Sequence, residues 1–271
     1  MTAGKEARRL LHGIVRKGGL SAVGSYVGPQ RFGHRPLRAW SGLRGLFADR
    51  SGIELGGPSA LFDSAGPLPI YAAARHVDLV DFSRNTLWRK TESPGEFRSL
   101  EGRAGSLLIG EATDLSSVPS NSYDFLLASH VLEHIANPIR ALREFRRVLH
   151  PAGPLVLVVP HRDWTFDRRR PLTTISHLDR DFEQGTGEDD TSHFEEILRL
   201  HDTSLDEREV NHETLSRRLQ DNLKIRSAHH HVFDLDSVND LLRHEGLTVV
   251  YSSLCLPFHA ISIATGAQAP L

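Results

Sequence analysis

The sequence predicts an α/β protein built on an open, mostly parallel sheet. Short apolar strands alternate with helical segments, turn residues rich in glycine or acid follow the strands, and one long charged segment interrupts the alternation. At 271 residues the chain can bury a sizeable core as one large domain with a lid.

The first segment, 1–50, carries ten Lys/Arg against two acids, with glycines that break any long helix. It reads as a basic N-terminal helical arm packed outside the main domain. A strand over 52–55 runs into the turn Gly56-Gly57-Pro58-Ser59, and a second covers 76–81. A third lies near 106–110. A fourth, 123–128, is entered from the polar turn Pro119-Ser120-Asn121-Ser122.

Asn137-Pro138 then supplies a cap and a first helical residue. Ile139, Leu142, Phe145 and Leu149 follow at helical spacing until Pro151-Ala152-Gly153-Pro154 stops the helix. The apolar run 155–159 suits a buried parallel strand. Residues 161–231 hold eleven basic and sixteen acidic residues and are too long for a loop, so they read as a helical lid. A helix over 236–244, capped by Asp234 or Asp236, and strands at 247–254 and 259–265 complete the core. The expected organisation is an arm (1–50), a core (51–160), a lid for substrate recognition (161–231) and a core completion (232–271).

The net charge of -2 argues against a general nucleic-acid binder. A single cysteine, Cys255, excludes an internal disulfide framework and points to a reducing, cytoplasmic setting. No stretch is long and apolar enough to span a bilayer, and the N-terminus lacks the apolar region of a signal peptide.

In open α/β sheets, ligands bind beyond the carboxyl ends of the strands. That rule gathers Gly56-Gly57, Asp81, Glu111-Ala112-Thr113 and Ser129 to His134 at one rim. Gly56 and Gly57 permit positive φ and close backbone approach. Asp81, at the end of the second strand, can accept both hydroxyls of a ribose. The alternative for Asp81 is a helix cap or turn residue. His130, Glu133 and His134 would share one helical face if the chain turned helical at His130. They could then hold a metal ion or act as a base with supporting groups. The plainer reading is one strand-end histidine and two solvated groups.

Several motifs occur in order: Ile53-Glu54-Leu55-Gly56-Gly57, Val80-Asp81-Phe82-Ser83, Gly110-Glu111-Ala112-Thr113-Asp114-Leu115, Tyr123-Asp124-Phe125, Val131-Leu132-Glu133-His134 and Val148-Leu149-His150-Pro151-Ala152-Gly153-Pro154-Leu155. Together they resemble the class I S-adenosylmethionine (SAM)-dependent methyltransferases. The resemblance implies a Rossmann-like, seven-stranded sheet with the last strand antiparallel. It implies SAM along the turn, with Glu54, Gly56, Gly57, Asp81, Phe82, Glu111, Ala112, Thr113 and Ser129 as cofactor residues. Two departures are Pro58, where the family usually has Gly, and Gly153-Pro154 in place of Gly-Gly.

The turn variant, Pro160-His161-Arg162-Asp163-Trp164-Thr165-Phe166-Asp167 and Arg170-Pro171-Leu172-Thr173-Thr174 look like bacterial sugar O-methyltransferases linked to polysaccharide synthesis. The mycobacterial enzymes of polymethylated polysaccharides are the nearest such group. The O-methyltransferases of ubiquinone synthesis carry Glu-x-x-Glu-His, with an implied divalent ion, where this chain has His130-x-x-Glu133-His134.

The expected activity is therefore methyl transfer to a hydroxyl of a saccharide or glycoside. His130, Glu133 and His134 serve either as ligands to Mg²⁺ or Mn²⁺ or as base and support. His161, Asp163, Trp164, Asp167, Arg170 and His231 are the expected acceptor contacts, and a homodimer is a compatible assembly. Three other readings compete: a non-catalytic methyltransferase-like module, a nicotinamide dehydrogenase, and a zinc peptidase. The dehydrogenase lacks Gly-x-Gly-x-x-Gly, and the peptidase motif needs a regular helix.

Overall fold

The computed structural model describes residues 36–86, 96–98, 104–206 and 210–266; residues 1–35 of the expected arm lie outside them. The strands are β1 (Ser51–Leu55), β2 (His76–Asp81), β3 (Glu96–Arg98), β4 (Ala104–Ile109), β5 (Phe125–Ser129), β6 (Leu155–Pro160), β7 (Thr248–Cys255) and β8 (His259–Thr265). They form one sheet in the order β3-β4-β2-β1-β5-β6-β8-β7. The pairs β4-β2, β2-β1, β1-β5 and β5-β6 are parallel, and the last strand, β8, runs antiparallel to both neighbours. This is the Rossmann-like seven-stranded sheet the sequence implied, with short antiparallel β3 added at one edge.

The parallel strands read as continuous apolar runs because both faces are covered. β6 is buried at every residue, as is β8. On one face, helix α1 (Pro138–Val148) packs Ile139, Leu142, Phe145 and Val148 against Leu126, Leu155 and Leu157. The Asn137 side chain accepts from the Arg140 amide, and Pro138 occupies the first turn, as expected for this start. On the other face, Phe47, Phe62, Leu68 and Tyr71 cover Phe125, Leu127 and Val156. Phe47 is wholly buried and meets the Phe125 ring edge-on at 5.4 Å. The end of the expected arm is thus part of the core, because this aromatic caps a sheet face.

The insertion after β6 holds helices α2 (Ile175–Gln184), α3 (Phe194–Leu200) and α4 (His212–Gln220) and a helical turn at Asn222–Ile225. Its two ends lie side by side, with His161 bridging to Phe233 in parallel. Helix α5 (Leu235–His244) then opens with a capping box between Asp234 and Ser237. Among the described residues no helix is long and apolar enough to cross a membrane.

The segment after β5 departs from expectation. His130 takes a left-handed conformation (φ 54°), and only Leu132–His134 form a single 3₁₀ turn. The His130 amide still pairs with the Val158 carbonyl, extending the sheet by one residue, so the chain turns sharply instead of starting an α-helix.

Candidate active site

The β1 turn is built over a buried acid. Gly56 has φ 69°, and a Cβ there would stand 2.6 Å from the Val131 side chain. A Cβ on Gly57 would fall 2.2 Å from the Glu54 carboxyl carbon. Glu54 itself is fully buried, accepting from the Tyr71 hydroxyl at 2.5 Å and from the Ser59 amide at 3.0 Å. Burial pushes its pKa up to about 8. Glu54 therefore supports the turn from beneath, a correction to its expected place among the cofactor contacts. Ser129 likewise serves the turn, since its hydroxyl receives the Ser59 hydroxyl at 3.1 Å.

A cleft opens beyond the carboxyl ends of the central strands. Gly56, Asp81, Phe82, Ala112, His130 and His134 line it. Thr113 is not among its walls: its carbonyl accepts from Arg140 Nε at 3.1 Å, facing a broad open groove along α1. That groove lies away from the glycine turn and is crossed by the Glu144–Arg147 ion pair. The lid closes over the cleft through two residues that sequence reasoning missed. Arg226 pairs with Glu111 at 2.8 Å and with Glu188 at 2.7 Å, and its guanidinium sits 5.3 Å from the Phe82 ring centroid. No local motif marked Arg226, whose left-handed backbone (φ 50°) ends a four-residue helical turn.

Beside the cleft, Glu133 is 1 % exposed, and neither of its oxygens makes a hydrogen bond. Its nearest ionisable neighbours are imidazoles: His130 Nδ1 at 3.5 Å and His134 Nε2 at 3.9 Å from Oε1. Burial pushes the Glu133 carboxyl up, but His130 and His134 outweigh it and hold the acid below its ordinary range. His134 donates through Nδ1 to the Ala228 carbonyl at 2.9 Å, and burial brings its pKa down to about 4, so it is neutral at physiological pH.

The third member of this group comes from the lid. His229 meets Asp167 through Nδ1 at 2.5 Å. Burial lowers its basicity, but the Asp167 carboxylate more than compensates and raises it. Asp167 falls to about 2 although burial opposes it, because His229 and Arg170 flank it. One ligating atom from each of Glu133, His134 and His229 lies within 4.8 Å of the others. His130 is drawn the other way, its Nε2 2.8 Å from His259 Nδ1. The histidine that joins Glu133 and His134 is thus His229, and His231 instead lies in the lid interior, 1 % exposed.

The expected acceptor residues separate into two sets. His161 stacks on Trp164 (centroids 4.7 Å, 23°) beside half-buried Asp163, at the end of β6. Arg170 and Asp167 do not face an acceptor. Arg170 is buried and spends its donors on Asp167, Glu196 and the carbonyls of His229 and His230, while Asp167 is taken up by Arg170 and His229. This pair holds the histidine run in register, a correction to its expected role.

A model of the methyltransferase domain matches residues 46–252, most of the chain. The chain belongs to the methyltransferase-domain family. Similar solved structures include a SAM-dependent methyltransferase from Aquifex aeolicus (14% identity, 92% of this chain, 98% of that chain, TM-score 0.49). Another is the S-adenosylmethionine-dependent methyltransferase from Mesorhizobium loti (14% identity, 84% of this chain, 97% of that chain, TM-score 0.46). No curated protein matches the chain.

The methyltransferase's own residues fit SAM. The turn at Gly56 leaves no room for a side chain, and Asp81 stands at the end of β2 on the cleft wall. A carboxylate there suits ribose hydroxyls, and Phe82 and Ala112 offer apolar surface for a base.

Proposed function

We propose that this methyltransferase transfers a methyl group to a hydroxyl of a saccharide or glycoside, with Gly56, Asp81, Phe82 and Ala112 holding SAM. When bound, SAM supplies an electrophilic methyl group on a sulfonium centre. The chain's own work is to align the acceptor oxygen and take its proton, because a sugar hydroxyl is a poor acid. The observation that carries this reading is the buried Glu133, ringed by imidazoles at the edge of the cofactor cleft.

His229 is the proposed proton acceptor and Asp167 its positioning residue. The Asp167 contact at Nδ1 fixes the ring, leaves Nε2 as the other nitrogen, and strengthens the base. Glu133 then stabilises the imidazolium that forms. The stacked His161–Trp164 pair with Asp163 supports a sugar: an aromatic surface flanked by hydrogen-bonding groups.

A second reading is favoured by the two Glu133 oxygens that make no hydrogen bond. Glu133, His134 and His229 offer one carboxylate and two imidazoles, each imidazole anchored through its far nitrogen by Ala228 O or Asp167. That is the donor set and outer support of a divalent-cation site. The ion would replace His130, expected as a ligand, with His229.

Methyl transfer from labelled SAM onto a panel of partly methylated oligosaccharides tests the activity and acceptor class together. Label in the saccharide at a base-stable ether supports the proposal, and label only in amine or thiol acceptors refutes it. Turnover lost in a chelator and restored by Mg²⁺ or Mn²⁺ selects the ion; turnover unchanged in a chelator selects the base.

A further inference from the structure

A second histidine cluster lies inside the lid, apart from the cleft. His177 and Asp181 are one turn apart on α2, His193 immediately precedes α3, and His231 ends the 229–231 run. One ligating atom from each of the three histidines lies within 4.8 Å of the others. His177 Nε2 is 3.2 Å from His193 Nε2 and 3.3 Å from Asp181 Oδ2. A tetrahedral ion with bonds of about 2.05 Å has ligand–ligand edges of roughly 3.3 Å. Two edges of this cluster already have that length.

Asp181 Oδ2 and His231 Nδ1 are buried without a hydrogen bond. His231 Nε2 lies 3.3 Å from the Ala136 carbonyl and 3.8 Å from Asp181 Oδ2, so the ring reaches the cluster edge. The three rings crowd one another, with centroids 5.0, 5.5 and 5.8 Å apart.

We propose that His177, His193 and His231, with Asp181 as fourth ligand, bind a structural Zn²⁺ that ties the lid together. The ion joins α2, which packs Leu178 into the main core, to the start of α3 and the chain after α4, which share only a small core of their own. The His231 amide donates to Glu133 O at 3.2 Å, and His229 is two residues away. Zinc at this site thus also sets the position of His229 beside Glu133. The site does not depend on which acceptor the enzyme methylates.

The full chain, stripped with a chelator, is titrated with Zn²⁺ against a chromophoric competitor, and separately with Co²⁺. Wild type is expected to bind one Zn²⁺ and to give the visible absorption of tetrahedral Co²⁺. His177→Ala with His193→Ala should weaken zinc binding by about 100-fold or more, whereas Glu133→Gln with His134→Gln should retain it. Zinc should protect 175–231 from limited proteolysis. His193→Cys keeps a ligand at the same place, so it should retain the ion and add a thiolate-to-Co²⁺ charge-transfer band. The proposal is overturned by wild type that takes up no zinc, by zinc lost only in the Glu133/His134 variant, or by Co²⁺-loaded His193→Cys without the thiolate band.

Discussion

Glu54→Gln should remove a pH-dependent penalty on stability that the wild-type fold carries. Glu54 is wholly buried beneath the β1 turn, and burial moves its pKa from 4.5 to about 8. The unfolded chain ionises this acid above pH 4.5, whereas the folded chain keeps it protonated until about pH 8. Its effect is therefore neutral below the unfolded pKa, increasingly destabilising between the two values, and constant above the folded one. The slope approaches 1.4 kcal/mol per pH unit, and from pH 5 to pH 8 the loss sums to about 3 kcal/mol. Glutamine preserves the shape and can meet Tyr71 and the Ser59 amide without a titrating proton. Urea denaturation at half-unit pH steps gives the measurement: wild type should lose about 3 kcal/mol relative to Glu54→Gln across that range. Parallel stability curves for the two proteins would refute the buried-acid account of the turn.

Arg170→Met leaves Asp167 buried beside His229 without its guanidinium, and should cost about 3–5 kcal/mol of lid stability; hydrogen exchange across 229–231 should rise first. His229→Gln should lower kcat by about 10²–10³ while leaving SAM affinity within about twofold, as expected for a lost base, measured by turnover and calorimetry. Gly52→Ala puts a Cβ 2.0 Å from the Phe125 ring, which is itself locked edge-on against Phe47, and should destabilise by about 2 kcal/mol or more in thermal unfolding.

What was legible in the sequence was local. The Asn137-Pro138 helix start, the Asp234 cap, the apolar β6 and the glycine turn are each specified by residues adjacent in the chain, and the sheet followed from their alternation. The contacts that misled were long-range. Glu54 looks like a motif acid, but its carboxyl group is captured by Tyr71, 17 residues on. His130 sits where a helix could begin, yet its amide pairs with Val158 and His259 holds its ring, so the expected face of three ligands does not form. The choice of His229 over His231 is set by Arg170, which grips the carbonyls of His229 and His230 from 59 and 60 residues away. The run of three histidines was a usable signal. His229 and His231 are told apart only by distant partners, Asp167 for the first and the Ala136 carbonyl for the second.

Titration calorimetry of SAM and its demethylated product into the full chain, beside Asp81→Ala, tests the central claim most directly. The account predicts saturable 1:1 binding of both ligands by wild type and binding weakened about tenfold or more in Asp81→Ala, the loss of a charge-assisted ribose contact. Absence of binding to wild type, or equal affinity in Asp81→Ala, would contradict it.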